Sequence, residues 1–224
     1  RVLTSVGVVN NEHAPTSMLA SWKYNPAAFV ILCESMDGTK AYAGARVHAL
    51  GGNQDLPWIE GTAEIDPKNR NYVEELAPVG TGELCGMWNS MEVANMGFAV
   101  VYIIRSAVAV ISQLGLKTMW ALCSPYSARI ASRFGFHVYE KVGDKGLFWY
   151  PTEKMVATTT LLLDSNNLDA ATDEERRHIF NLRDNWKQTR MEEHRNHKVE
   201  IAYALEIANI DKNEFRWVPE YLLL

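Results

Sequence analysis

Residues 82 to 143 constrain the fold more than any other stretch, because strand and helix signals alternate there with glycine and proline at the junctions. The strand-like run Glu83-Leu84-Cys85-Gly86-Met87-Trp88 leads to Ala94-Asn95-Met96-Gly97-Phe98-Ala99, which opens an apolar helical stretch reaching about Leu114. A second strand, Lys117 to Cys123, precedes Ser124 as N-cap and Pro125 at the first helical position. A short helix from Tyr126 to Phe134 then stops at Gly135-Phe136 before a third strand, His137 to Val142. A strand feeding a glycine turn and a helix N-terminus gathers unpaired backbone N–H groups and the positive end of the helix dipole, which suits a phosphate or pyrophosphate. The alternative is a plain crossover turn with no ligand.

The chain has 224 residues, enough for one domain or one domain with an extension. Hydrophobic residues make up 47% and charged residues 22%, so a sizeable core is expected and disorder is not. A net charge of -5 argues against a general nucleic-acid binder and is compatible with amine substrates. Cys33, Cys85 and Cys123 are far apart, lie in apolar strand-like runs and have no metal-ligand spacing, as expected of reduced core thiols in a cytoplasmic protein. The run Gly97 to Leu116 is long enough to span a bilayer. Arg105, Ser106, Ser112 and Gln113, however, fall with Tyr102 on one stripe, the pattern of a helix mostly buried in a soluble domain, so no membrane span is expected. No signal peptide is read, and a chain opening on Arg1 leaves room for a segment upstream.

Taken in order, Arg1 to Val9 reads as a strand and Ala14 to Tyr24 as a short helix. Phe29 to Glu34 and Ala41 to Leu50 read as strands joined by a turn at Asp37-Gly38. Residues 51 to 81 read as a long loop broken only by a turn of helix at Tyr72 to Leu76. Two aromatic or β-branched strands follow Val142, Leu147 to Tyr150 and Met155 to Leu163. A polar linker over 164 to 171 leads to a charged amphipathic helix from Asp173 to about Glu193. The last segment alternates Val199, Ile201, Tyr203, Leu205 and Ile207, a strand expected to pair with an edge of the main sheet or with a second copy of the chain in a homodimer.

The pattern over about residues 29 to 163 resembles the GNAT superfamily of acyl-CoA-dependent N-acyltransferases. The family's pyrophosphate motif, Q/R-x-x-G-x-G/A, falls on Ala94 to Ala99, with Gly97 and Ala99 matching and Ala94 departing. The short helix ending in Gly-Phe falls on Ser124 to Phe136. The resemblance implies an α/β (α+β) fold: a central mixed, mostly antiparallel sheet with a splayed parallel strand pair, flanked by helices. Residues 1–163 would form this acyltransferase domain, with 51–81 as an acceptor-side insertion. Residues 164–224 would be a helix and strand extension on the main domain or a dimer partner.

Acyl transfer from a thioester to an amine needs a base for the ammonium proton, polarisation of the carbonyl, and often an acid for the thiolate. The resemblance makes Glu83 the leading base, because members of the histone acetyltransferase type carry a glutamate eleven residues before the motif's first position, as Glu83 stands to Ala94. Strand alternation places Glu83 with Cys85, Met87 and Asn89, and a solvated or surface-paired carboxylate is the alternative. The resemblance also implies that backbone groups near Met87, Trp88 and Asn89 hold the pantetheine arm. Asn95, Met96, Gly97, Phe98 and Ala99 would hold the pyrophosphate, and Arg129 and Arg133 would meet a nucleotide phosphate or stay solvated.

The family's usual tyrosine acid falls on Ala131, so Tyr126, Ser124 or Cys123 would substitute, or the thiolate, with a thiol pKa near ~8.5, would leave unassisted. Within residues 51 to 81, Trp58, Glu60, Glu64, Asp66, Tyr72, Glu74 and Glu75 are candidate acceptor contacts, against a surface loop of solvated charges. His194 and His197, with His178 upstream, have helical metal spacing on a charged face that also gathers histidines without function; no metal is expected. The expected donor is acetyl-CoA or another acyl-CoA, and the acceptor a small-molecule amine or amino acid. Two alternatives are long-chain transfer from acyl carrier protein, as in autoinducer and N-acyl amino acid synthases, and a non-catalytic CoA-sensing module.

Overall fold

The computed structural model describes residues 20–52, 54–94, 99–194, 197–215 and 217–218. The Asp37-Gly38 signal is a real turn. Strands β1 (Ala28–Glu34) and β2 (Ala41–Ala49) form an antiparallel hairpin in which Asp37 Oδ1 accepts hydrogen bonds from Ser35 Oγ, Thr39 Oγ1 and Thr39 N. Strand β3 (Thr81–Asn89) pairs antiparallel with β2, and β4 (Thr118–Cys123) runs parallel to β3. Strands β5 (Phe136–Val138), β6 (Leu147–Trp149) and β7 (Val156–Leu162) complete a seven-stranded mixed sheet of order β1-β2-β3-β4-β7-β5, with β6 also on β7. This is the architecture that the resemblance implies.

Residues 51 to 81 are not the long loop read from composition. They fold as helices α1 (Pro57–Thr62) and α2 (Lys68–Leu76). Trp58, Ile59 and Val73 enter a second core with Trp120, Val142, Phe148 and Leu161 on one face of the sheet. The glycines and charges that signalled a loop leave each helix only a narrow apolar stripe, so tertiary burial decides the conformation. The strand after Gly135 is also shorter than read, Phe136 to Val138.

On the opposite face, α4 (Ala99–Val110) packs across β1, β2 and β3, preceded by the single turn α3 (Met91–Ala94). The short helix α5 (Pro125–Ala131) begins at Ser124, whose Oγ accepts the Ser127 N–H at 3.1 Å. The stripe through Arg105 on α4 is buried by the C-terminal segment. Glu175 of α6 (Asp173–Asp184) accepts from Arg105 Nε at 2.9 Å, and Glu192 accepts from Arg105 Nη1 at 2.8 Å. Ile179, Leu182, Tyr203 and Phe215 join the same buried cluster as α4. Among the described residues no helix is long and apolar enough to cross a membrane.

The tail corrects two expectations. Helix α6 ends at Asp184, and Lys187–His194 is a strand, β8, paired antiparallel with β9 (His197–Ala204). The alternating strand therefore finds its partner in the preceding residues rather than at a main-sheet edge. The inward residues of β8 are Gln188, Arg190 and Glu192, opposite Tyr203, Ile201 and Val199, so its period-2 signal is polar and invisible to a hydrophobic reading. His194 and His197 are backbone partners at the end of this hairpin and are not on a helix. His178 Nδ1 lies 2.9 Å from Arg190 Nη2. The strand read over Arg1 to Val9 and most of the helix read over Ala14 to Tyr24 lie outside the described residues; Ala20–Tyr24 is a 3-10 turn.

Candidate functional site

The parallel ladder between β3 and β4 is short. It pairs Thr81, Gly82 and Glu83 with Thr118, Met119 and Trp120 and then ends, while β3 continues to Asn89 and β4 to Cys123. The two strands splay from Glu83 onward, leaving a fork between their backbones, and Glu83 is the last paired residue at its apex. A polar chain such as pantetheine entering this fork would meet main-chain donors and acceptors that no strand partner uses.

A bulge in β3 sets which side chains face the site. Gly44 lies opposite Trp88 and Arg46 opposite Cys85, so β3 carries one more residue than β2 between these pairs. Gly86 sits there at φ 59, left-handed backbone that favours glycine. Directly opposed residues share a face, so Glu83, Cys85 and Trp88 stand with His48, Arg46 and Gly44, whereas Asn89 stands with Ala43 on the α4 side. The simple alternation that put Met87 and Asn89 beside Glu83 fails at the bulge. Gly44 leaves room for Trp88, whose Nε1 would lie 2.8 Å from a Cβ at that position.

Glu83 is 2% exposed, and its Oε2 accepts the backbone N–H of Trp58 at 2.8 Å. Trp58 is the second residue of α1, whose N-cap, Leu56, has no side chain able to cap. Glu83 therefore supplies from β3 the acceptor that the helix start lacks. Burial raises its carboxyl pKa to about 8, against the lowering effects of the Trp58 hydrogen bond and the Arg46 charge; nearby Glu60 adds to the rise. This is a buried carboxyl that changes charge near neutral pH, the property of a positioned base.

The residues around it were mostly not singled out in the sequence. His48, 1% exposed, stands directly opposite Glu83, and its imidazole pKa is pushed down to about 4 by burial and then by Arg46. The Tyr150 hydroxyl packs against Gly61 of α1, 2.8 Å from where a Cβ would stand, and burial followed by the charges of Glu83 and Glu60 raises its pKa. Trp58 and Trp120 stack at 4.9 Å between centroids, and Tyr139 meets Trp120 edge-on. The histidine becomes a candidate only once the β2–β3 register is known, and Tyr150 only once α1 exists; no local sequence signal marks either.

Of the other candidates, Met87, Trp88 and Asn89 line the β3 arm of the fork. Asn95, Met96, Gly97 and Phe98 lie outside the described residues, and Ala99 is the first residue of α4. Ala131 is buried in the α4-side core, so the family's tyrosine position is filled by packing. Ser124 is committed to the α5 start, donating its hydroxyl to Ser127 Oγ as well as capping. Tyr126 is 61% exposed and Arg129 is exposed. Arg133 is tied to α6, donating to Glu175 Oε1 at 2.9 Å, and does not point to a nucleotide phosphate as a free cation. Burial raises the Cys123 thiol to about 11, which suits a structural thiol rather than a nucleophile.

Of the insertion residues, Trp58 is buried beneath Glu83, and Asp66 accepts the Gly143 N–H at 2.9 Å. Tyr72 packs edge-on against Tyr139, while Glu64, Glu74 and Glu75 are exposed. Glu60, through its charge, is coupled to Glu83. Among the described residues no group of three or more His, Cys, Asp or Glu is placed to hold a metal ion.

No protein-family profile and no curated protein sequence matches the chain. Among solved structures it is similar to FeeM, an N-acyl amino acid synthase from uncultured soil microbes, at 16% identity and a TM-score of 0.53, covering 70% of this chain and 83% of that one. It is also similar to the CoA-dependent acyl-homoserine lactone synthase MesI, at 14% identity and a TM-score of 0.42 over 70% of this chain and 69% of that one. An aminoglycoside acetyltransferase solved with coenzyme A and kanamycin matches at 13% identity and a TM-score of 0.42, over 65% of this chain and 72% of that one.

Proposed function

We propose that this chain, which has the GNAT fold, is an N-acyltransferase that moves an acyl group from acyl-CoA to a small amine, with Glu83 as general base. The observation that carries the reading is the buried Glu83 carboxyl at the apex of the β3–β4 fork, where the two strands stop pairing. Backbone of the β3 arm, Met87 to Asn89, holds the pantetheine arm, and Asn95, Met96, Gly97 and Phe98 with the start of α4 at Ala99 hold the pyrophosphate. This brings the thioester to the apex.

There the acceptor's ammonium gives one proton to the Glu83 carboxylate, and the freed nitrogen lone pair forms a bond to the thioester carbon. The C–S bond breaks as the carbonyl reforms, and the nitrogen's second proton goes to the departing thiolate, giving amide and CoA thiol. Glu83 releases its proton to solvent. With Ala131 buried, Ser124 committed to α5 and Tyr126 turned to solvent, the thiolate leaves without a dedicated acid, as its low basicity permits.

The likeness to an N-acyl amino acid synthase favours a second form of the reading, in which the acceptor is an amino acid and the acyl chain is long. The test is turnover of acetyl-CoA, longer acyl-CoAs and acyl carrier protein thioesters with panels of amines and amino acids, alongside calorimetry of each donor. Binding of CoA thioesters without turnover on any acceptor would leave a CoA-sensing module; no binding of any donor would end the reading.

A further inference from the structure

The face of the sheet that carries Glu83 holds a set of buried polar atoms that the reaction above does not use. His48 stands opposite Glu83 in the β2–β3 ladder, Trp120 beside it in the β3–β4 ladder, and Thr81 two residues earlier on its own strand. All three are 1% exposed or less. Neither ring nitrogen of His48 has a hydrogen-bond partner among the described residues, and the same is true of Thr81 Oγ1 and the indole Nε1 atoms of Trp120 and Trp58.

An orphaned buried polar atom is costly, and native proteins satisfy nearly all of them with protein groups or ordered water. Directly opposed residues on one face of an antiparallel pair have Cβ atoms roughly 5 Å apart, which puts an imidazole and a carboxylate within reach of one shared water. Five of these atoms, both His48 ring nitrogens, Thr81 Oγ1 and the indole Nε1 atoms of Trp58 and Trp120, belong to the layer around Glu83 and offer an ordered water there several polar partners.

We infer, resting on the reading of Glu83 as the base, that His48 is a positioning residue: neutral, it donates through a bridging water to the Glu83 carboxylate, favours the ionised form and aims it at the fork. Glu83 Oε2 is already fixed by the Trp58 N–H, so a second donor orients the remaining lone pairs. The imidazole keeps one N–H and one acceptor nitrogen throughout, so its protonation does not change when Glu83 takes the proton.

The charged and titratable groups around the pair are consistent with this. Arg46 follows on the same strand face and opposes a second charge on the ring; Cys85 is next on β3; Glu60 comes from α1 and Tyr150 from beyond β6, both in the field of Glu83. Burial and Arg46 keep the imidazole neutral at physiological pH.

The experiment compares wild type, His48→Phe and His48→Gln by the Glu83 carboxyl midpoint, read from 13C-carboxyl NMR of glutamate-labelled protein with Glu83→Gln assigning the signal. His48→Phe removes the donor and is expected to raise the midpoint by about one unit, a tenfold loss of ionised Glu83 at neutral pH; His48→Gln keeps an N–H and restores most of it. In the wild type, 15N spectra of the ring are expected to show one neutral tautomer from about pH 5.5 to 8, the signature of a fixed donor, a readout that needs no variant to fold. Equal midpoints in wild type and His48→Phe, failure of Gln to reduce the shift, or a mixed tautomer population each overturn the inference. None of these measurements needs turnover: absence of activity with every donor sinks the enzyme reading, whereas an unmoved midpoint sinks this one.

Discussion

Glu83 Oε2 and the backbone nitrogen of Trp58 lie 2.8 Å apart, so one carboxylate both closes the start of α1 and sits where β3 and β4 part. The two roles make different demands. Capping needs only an acceptor oxygen, while proton removal needs basicity. A glutamine meets the first demand and fails the second.

Glu83→Gln is therefore expected to keep the fold and the affinity for a CoA thioester while lowering kcat by about 100-fold or more, the usual scale for a positioned base. Glu83→Ala loses the cap as well, at about 0.5–2 kcal/mol of stability. Steady-state kinetics and urea unfolding on the two variants separate the roles. A glutamine variant with near wild-type kcat at neutral pH would move attention to Glu60, the other carboxylate near the apex.

The same burial gives a stability signature. The folded-state pKa of Glu83 is raised to about 8 from an ordinary 4.5. The folded protein therefore binds this proton more tightly than the unfolded chain does. Its contribution is fully present below about pH 4.5, falls as pH rises, and is lost by the time pH passes about 8. Glu83→Gln cannot ionise. The Tm of the glutamine variant relative to wild type is expected to climb steadily between pH 5 and 8.5, and a flat difference across that range would show that Glu83 is not desolvated in solution.

Much of the frame around this site was legible beforehand. The turn at Asp37-Gly38 and the Ser124-Pro125 helix start are local signals with local causes, and each stands where the residues place it, whereas the helix ends at Ala131, four residues before the Gly135 stop read for it. What was hidden is non-local. The helices α1 and α2 exist because Trp58, Ile59 and Val73 find Trp120 and Phe148 far along the chain. His48 is unremarkable until register sets it opposite Glu83, and the inward face of β8 reads as polar because its partner is the buried Arg105 rather than a hydrocarbon core. Strand alternation likewise failed beyond Cys85, since a bulge shifts faces without leaving more trace than one glycine.

That glycine is testable. Gly86 has a φ of 59, and a Cβ there would lie 2.9 Å from the Arg46 guanidinium nitrogens. Gly86→Ala is expected to cost about 1–2 kcal/mol from the left-handed backbone alone. The shift of Trp88 and Met87 should also weaken the thermal stabilisation that CoA thioesters confer, because these residues form one arm of the fork. Unchanged stability and unchanged ligand response would mean that the bulge does not persist in solution.

The last prediction concerns the C-terminal segment, which is held to α4 by charge as much as by apolar contact. Arg105 is 3% exposed and donates to both Glu175 and Glu192, which are themselves buried. Burial alone would raise the Glu192 carboxyl, but the Arg105 charge and the hydrogen bonds from Tyr203 and Arg190 bring it below the ordinary range. Its contribution is thus present above the unfolded value near 4.5 and is lost as pH falls through the lower folded value. Arg105→Ala takes one cation from each of two buried carboxylates, which keep Arg133 and Arg190 as partners, and is expected to cost about 1.5–3 kcal/mol at neutral pH. The deficit should shrink at pH 3.5, where Glu192, without the Arg105 charge that lowers it, takes up a proton more readily in the variant. A combined Arg105→Met, Glu175→Gln, Glu192→Gln chain, in which only the more exposed Arg133 and Arg190 of this cluster keep their charge, should recover part of the loss. Removal of residues 165 to 224 should be worse than any of these, since it leaves Arg105 unpaired and uncovers the face of α4 that Ile179, Leu182 and Tyr203 protect. Urea midpoints at the two pH values decide the matter: an Arg105→Ala chain as stable as wild type at pH 7 would show that apolar contact alone docks the tail.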